Sequence, residues 1–220
     1  RRDSMHISVV AVSHQMLLLE ALQAAVVGTE FQIMSSPFKG RLALDEFAVT
    51  PPRCLILDGG CPKQSPLVMV DRVKRMLPDT LILVYLRSIR AVECQSLLSL
   101  GVSGLIDTSC ASEDVVVALR KIKRQEVHLA PKVAQALALS RFRSANPFEK
   151  LSPRELTVCD LVIEGSRAPD IAQQLSVSAK TINTYRYRIF EKLGIASDVE
   201  LTHLAYNHGM KGVESSHGRV

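Results

Sequence analysis

The chain has 220 residues, enough for one large domain or two small ones at roughly 100–200 residues per domain. Its 47% apolar and 22% charged residues, with 11 Gly and 10 Pro, exclude a chain disordered throughout and a collagen-like repeat. The net charge of +5 and pI near 9.0 suit a polyanionic partner without requiring one. No window of about 18 residues is apolar enough for a spanning helix, and residues 1–5 are not followed by a signal-peptide core, so the expected setting is the cytoplasm with no membrane partner. The cysteines at 54, 61, 94, 110 and 159 are odd in number and lack C-x-x-C spacing. That predicts reduced thiols, and no clustered zinc ligands and no metal are expected.

In chain order, HISVVAV (6–12) is a β-branched run, His14–Val27 an amphipathic helix ended by Gly28, and FQIMSS (31–36) a second strand. A weak helix near 40–48 precedes CLILD (54–58). Then come a helix at 66–77, the strand LILVYL (81–86), a helix at 92–100, the strand GLID (104–107) and a helix at 112–125. Five strands apolar along their whole length, alternating with helices, predict a doubly wound α/β layer with a five-stranded parallel sheet covered on both faces. Function in such sheets sits outside the carboxyl ends of the strands, which here are Ser13–His14, Asp58, Leu86–Arg87 and Thr108.

Residues 6–125 resemble the receiver domain of bacterial response regulators, a flavodoxin-like fold. The resemblance rests on the strand order, Asp58 closing the third strand, Pro62 four residues later, and Gly101-x-x-Gly104 leading into the fifth strand. It implies that Asp58 stands where the family accepts a phosphoryl group. That chemistry uses Mg²⁺ on an acidic pair after strand one, a Ser or Thr ending strand four and a Lys ending strand five. Here those positions read Ser13-His14, Leu86 and Thr108, so the pocket is degenerate. Asp58 is expected to be an inefficient acceptor, Mg²⁺ binding is doubtful, and no cofactor is expected. A plain solvated loop carboxylate is the blander reading of Asp58. Cys61 is read as an exposed thiol, with only Lys63 nearby to depress its pKa.

Residues 126–150 read as a linker carrying a short helix near 133–140, with Ser144, Asn146 and Pro147 breaking periodicity. Residues 151–212 read as a four-helix domain. Ser152-Pro153-Arg154-Glu155 is a capping box opening the first helix. The second, APDIAQQL, has only Arg167 or Ala168 to cap it. A turn at Val177-Ser178 leads to the third, Ala179–Leu193, stopped by Gly194. Ser197-Asp198-Val199-Glu200 opens the fourth, which runs to His208 or Gly209. The third helix turns Ile182, Ile189 and Leu193 inward, with Tyr185 or Arg186 between them. It leaves Lys180, Asn183, Thr184, Tyr187, Arg188 and Glu191 outward. A helix pair joined by a tight turn, with such an outer face, fits a helix-turn-helix reading the major groove of double-stranded DNA. An ordinary solvated helix face is the alternative.

The strings LSPREL (151–156), DIAQQLSVSAKTINTYRYRIFEKLGI (170–195) and SDVELTHLAYNHGM (197–210) are similar to the LuxR/NarL-type helix-turn-helix domain, in the GacA/UvrY branch of two-component regulators. The resemblance implies that Asn183, Thr184 and Tyr187 face bases and that Lys180, Thr181 and Arg188 face the phosphate backbone. It also implies a homodimer, with Val199, Leu201, His203 and Leu204 of the fourth helix as pairing candidates, each of which can equally pack on the first helix of its own domain. The expected function is a bacterial DNA-binding transcription regulator working without ordinary aspartyl phosphorylation, with a histidine kinase or another protein as its signalling partner. A conventional phosphorylated regulator and a regulator-titrating protein that does not bind DNA stay open as alternatives. No Gly-rich phosphate loop or nucleophile elbow is present, and the chain is not expected to be an enzyme.

Overall fold

The computed structural model describes residues 7–37, 44–47, 50–61, 64–140, 146–208 and 210. The chain divides into two compact units, Arg1–Phe142 and Arg143–Val220.

The first unit alternates strand and helix: β1 (Ile7–Ser13), α1 (Met16–Ala25), β2 (Phe31–Pro37), β3 (Cys54–Asp58), α2 (Pro66–Met76), β4 (Leu81–Leu86), α3 (Ala91–Ser99), β5 (Gly104–Asp107), α4 (Ser112–Lys123), β6 (His128–Leu129) and α5 (Pro131–Ser140). The strands form one parallel sheet in the order β2-β1-β3-β4-β5-β6. The pleat sends alternate residues to opposite faces. Val9, Ala11, Ile56, Leu83 and Ile106 pack with Leu19 and Leu22 of α1 and with Val115 and Leu119 of α4. Val10, Val12, Leu55, Leu57 and Val84 are buried as well, so both faces are covered, as the unbroken apolar runs require. α2 starts at Pro66, where Ser65 caps it by accepting the Leu67 N–H.

Among the described residues the sheet has six strands, one more than the five expected. β6 is only two residues long and carries no apolar run to betray it. It lies in the stretch read as a linker, paired through Gly104↔His128 and Leu105↔Leu129. α5 follows in the same unit, with Val133 buried. Of the weak helix near 40–48, a short 3₁₀ turn at Leu44–Phe47 is present; 40–43 and 48 lie outside the described residues. Pro62, named in the receiver resemblance, and Lys63, named beside Cys61, also lie outside them.

The second unit opens with a 3₁₀ turn at Pro147–Lys150 and continues with α6 (Pro153–Ile163), α7 (Ala168–Leu175), α8 (Ala179–Leu193) and α9 (Asp198–Asn207). The capping box of α6 is formed: Ser152 Oγ accepts the Glu155 N–H, and Glu155 Oε2 accepts the Ser152 N–H at 2.8 Å. α7 has no side-chain cap at Arg167. Phe148, inside the predicted linker, is fully buried and packs edge-on against the His208 ring, so the folded unit begins before the capping box. Ile171, Leu175, Ile182, Ile189, Leu201 and Ala205 complete this core with the buried face of α6.

Candidate functional site

Among the described residues, two places gather polar side chains suited to chemistry or recognition. One is the outer face of α8; the other is the carboxyl end of β1 and β3.

α7 ends at Ser176, which takes a left-handed backbone conformation (φ 54°), and the Val177 N–H returns to the Ala172 carbonyl at 3.0 Å. The chain thereby reverses within Ser176–Ser178 before Ser178 caps α8 by accepting the Thr181 N–H. That tight turn sets the angle between α7 and α8. Ile182 and Ile189 seal the inner face of α8, and Tyr185 and Arg186 are half-buried beside them. Lys180, Asn183, Thr184, Tyr187, Arg188 and Glu191 are all exposed, with Tyr187 70% accessible despite its ring. Thr184 Oγ1 donates to the Lys180 carbonyl, and Thr181, half-buried, shares a hydroxyl–hydroxyl bond with Ser178.

Two other cations of α8 have internal duties. Lys192 Nζ meets Glu155 Oε2 at 2.6 Å and ties α8 to α6, while Arg186 pairs with Asp198 at the start of α9. Arg154 Nη2 donates to the Leu175 carbonyl and steadies the carboxyl end of α7. With Arg186 and Lys192 engaged inside the unit, Lys180 and Arg188 are the cations α8 presents outward among its described residues.

On α9, Val199 and His203 are exposed and Leu204 is half-buried. Leu201 is a correction: it is 1% exposed in the core of its own unit and offers no surface to a second chain. Tyr206, 74% exposed and about two helical turns beyond Val199, shares the outer face instead. The 3.6-residue period separates these two sets, but which set faced inward depended on where α6 lay.

In the first unit the sheet order reverses at β1, so the ends of β1 and β3 open into one crevice. Asp58 lies there at 1% exposure, which corrects the solvated loop carboxylate. Its Oδ2 accepts from Ser13 Oγ at 2.5 Å and its Oδ1 from the Gly60 N–H at 2.8 Å. Arg87 adds Nη2 to Oδ2 at 3.2 Å and Nε to Oδ1 at 3.4 Å, and His14 Nδ1 stands 3.5 Å from Oδ2. Leu86 is buried and offers only methyl groups; Thr108 is exposed. Arg87 stood among the strand-end residues in the sequence, but nothing there showed that it would reach Asp58. Gly60 was missed: a Cβ on it would stand 1.9 Å from Arg87 Nε, so only glycine lets the guanidinium lie there. Cys61 is 6% exposed rather than an open thiol, and burial, then the Asp58 charge, push it up to about 11.

Comparison with known proteins bears on both sites. Residues 149–205 match the family of bacterial regulatory proteins of the luxR type. The chain is 32% identical over 164 residues to the response regulator UvrY of Escherichia coli, covering 73% of this chain and 75% of that protein. To the response regulator GacA of Pseudomonas aeruginosa it is 34% identical over 162 residues, covering 72% and 76%. The chain belongs to the UvrY/GacA-type response regulators. Its fold is also that of the Salmonella typhimurium response regulator RcsB, at a TM-score of 0.69 and 20% identity over 94% of this chain and 98% of that one.

Response regulators of this kind pair a receiver with a LuxR-type DNA-binding domain, and both are present here. The receiver fold implies a Mg²⁺ ion beside its aspartate. The donor set does not fit it. Mg²⁺ wants a near-octahedral shell of hard oxygens. Around Asp58 stand a hydroxyl, an imidazole and a guanidinium, and the guanidinium already supplies positive charge to both carboxylate oxygens. Among the described residues no helix is long and apolar enough to cross a membrane.

Proposed function

We propose that this response regulator is a cytoplasmic transcription regulator that binds double-stranded DNA as a homodimer through α8 and works without ordinary phosphorylation of Asp58. The observation that carries the reading is the outer face of α8. Amide, hydroxyl, phenol and guanidinium tips lie exposed together on a helix whose inner face is sealed. A helix about 10–12 Å across fits the major groove, about 12 Å wide. In that pose Asn183, Thr184 and Tyr187 meet base edges, while Lys180, Thr181 and Arg188 meet phosphates. Solved structures of RcsB include dimers bound to DNA, which supports the same use here. Val199, His203 and Leu204, joined by Tyr206, form the α9 face for pairing. Phosphate independence is supported by the saturated Asp58 carboxylate. A histidine kinase or another protein would then act through contacts, not through phosphoryl transfer.

The test is a salt titration of duplex affinity. Lys180→Ala should weaken binding to every sequence and reduce the salt slope by about one, whereas Asn183→Ala should relax base preference. No duplex binding at low salt would overturn the reading and favour a regulator-titrating protein. Incubation with acetyl phosphate and Mg²⁺, read by intact mass, should leave the chain unlabelled. Rapid stoichiometric labelling at Asp58 would restore conventional phosphorylation.

A further inference from the structure

The crevice beside Asp58 holds a second set of groups that DNA recognition does not use. His14 follows β1, and Cys61 lies three residues past the end of β3. Sequence separation hid the pair; the parallel pairing of β1 and β3 brings them together. One donor atom from each of His14, Asp58 and Cys61 falls within 4.8 Å of the others, two of them buried and His14 at the exposed rim.

The surroundings hold these donors in place. The Gly60 N–H anchors Asp58 Oδ1 and the Ser13 hydroxyl anchors Oδ2. Contacts of this sort fix the direction of metal ligands. An imidazole, a thiol and one carboxylate form a borderline-soft set, poor for Mg²⁺ and well suited to Zn²⁺, which takes three protein ligands with a fourth position open. The geometry points to a Zn²⁺-class site at His14, Asp58 and Cys61, with Arg87 as a tethered competitor for the same carboxylate.

The exchange balances. Bonds form from the metal to one ring nitrogen of His14, one oxygen of Asp58 and the sulfur of Cys61. The S–H bond breaks and its proton leaves to water. The Arg87 side chain, 36% exposed, keeps its proton and swings outward. Nothing is oxidised or reduced. Before the exchange the pocket holds Asp58⁻ and Arg87⁺; afterwards it holds Asp58⁻, the Cys61 thiolate and M²⁺. Its formal charge is zero in both states, so metal entry does not leave a net charge in the buried crevice.

The experiment uses the full chain without an affinity tag and needs no DNA, so its outcome is separate from the reading of α8. Co²⁺ is added as a spectroscopic probe, and Zn²⁺ is then titrated against a competing chelator. One equivalent of Co²⁺ should give a sulfur-to-metal charge-transfer band that Zn²⁺ abolishes. Cys61→Ser should lose the band, and Cys110→Ser, which alters the half-buried thiol outside the triad, should keep it. His14→Gln, at an exposed position, should leave the fold intact and weaken Zn²⁺ by at least about 100-fold, the upper end of what losing an outer-shell partner costs. Arg87→Ala should tighten it roughly five- to thirtyfold by removing the competitor. A chain that gives no band, a band that survives in Cys61→Ser, or unchanged affinity in His14→Gln overturns the site. An Arg87→Ala variant that binds no tighter overturns the competition.

Discussion

The contact between Gly60 and Arg87 gives the sharpest test of how the receiver pocket is built. A Cβ on residue 60 would stand 1.9 Å from Arg87 Nε and 2.1 Å from its Cδ, so Gly60→Ala must expel the side chain. Gly60 has no left-handed backbone angle, and alanine adds no backbone strain there. What is lost is the pair of Arg87 contacts to Asp58 at 3.2 and 3.4 Å. Removing one partner of a fully buried ion pair costs about 3–5 kcal/mol. Arg87 is 36% exposed and Asp58 keeps its bonds from Ser13 and the Gly60 N–H, so a loss of about 1–2 kcal/mol follows. Arg87→Ala should cost the same, because it deletes the same contact from the other side. The double variant should then cost no more than either alone, a coupling of about 1–2 kcal/mol. The chain has no tryptophan, so urea unfolding is best followed by circular dichroism, fitting the receiver transition separately. Additive losses of about 2–4 kcal/mol in the double variant would refute the reasoning. So would a Gly60→Ala chain as stable as the parent.

Further predictions concern the second unit. Burial pulls the Glu155 carboxyl upward, but bonds from Lys192 and from the Ser152 N–H and hydroxyl hold it on balance below its ordinary 4.5. A carboxylate depressed in the folded state stabilises it above the unfolded value and loses that stabilisation as pH falls through the folded one. Glu155→Gln should therefore be less stable than the parent by about 1 kcal/mol at pH 7. The gap should close as pH falls below 4.5, read by thermal melting; a gap constant from pH 7 to pH 3 would contradict the assignment. Phe148→Ala should destabilise the second unit by about 3–5 kcal/mol, since the ring is fully buried. A loss below about 1 kcal/mol would show that this unit starts later in the chain. Tyr187→Ala, at a 70% exposed position, should stay within about 0.5 kcal/mol of the parent in stability yet weaken duplex binding. A large loss of stability would move Tyr187 out of the interface.

Much of this protein was legible before any coordinates. The apolar runs HISVVAV, CLILD and LILVYL specified strands buried on both faces, because a half-exposed strand would alternate. Local chemistry also set the ends of the second-unit helices: Ser152 with Glu155, Ser178 and Gly194 act within one turn of their own position. The outward set on α8 followed from the helical period alone, since Ile182 and Ile189 could face only one way. β6 was not legible, because a two-residue strand is defined by its neighbour and carries no pattern of its own.

Tertiary structure decided whatever depended on residues far apart in the chain. Which face of α9 was buried was settled by α6, and it took Leu201 into the core while leaving Val199 and Tyr206 outside. Arg87 is 29 residues from Asp58, and His14 is 47 from Cys61. Side chains at such separations meet only because parallel pairing sets the ends of β1, β3 and β4 side by side. The sequence by itself determined that Ser13-His14 and Thr108 stand at the strand ends where the receiver resemblance expects an acidic pair and a lysine. Only the fold decided that an arginine on a glycine floor now lies against the aspartate, because the distance between side chains is set by packing and not by spacing along the chain.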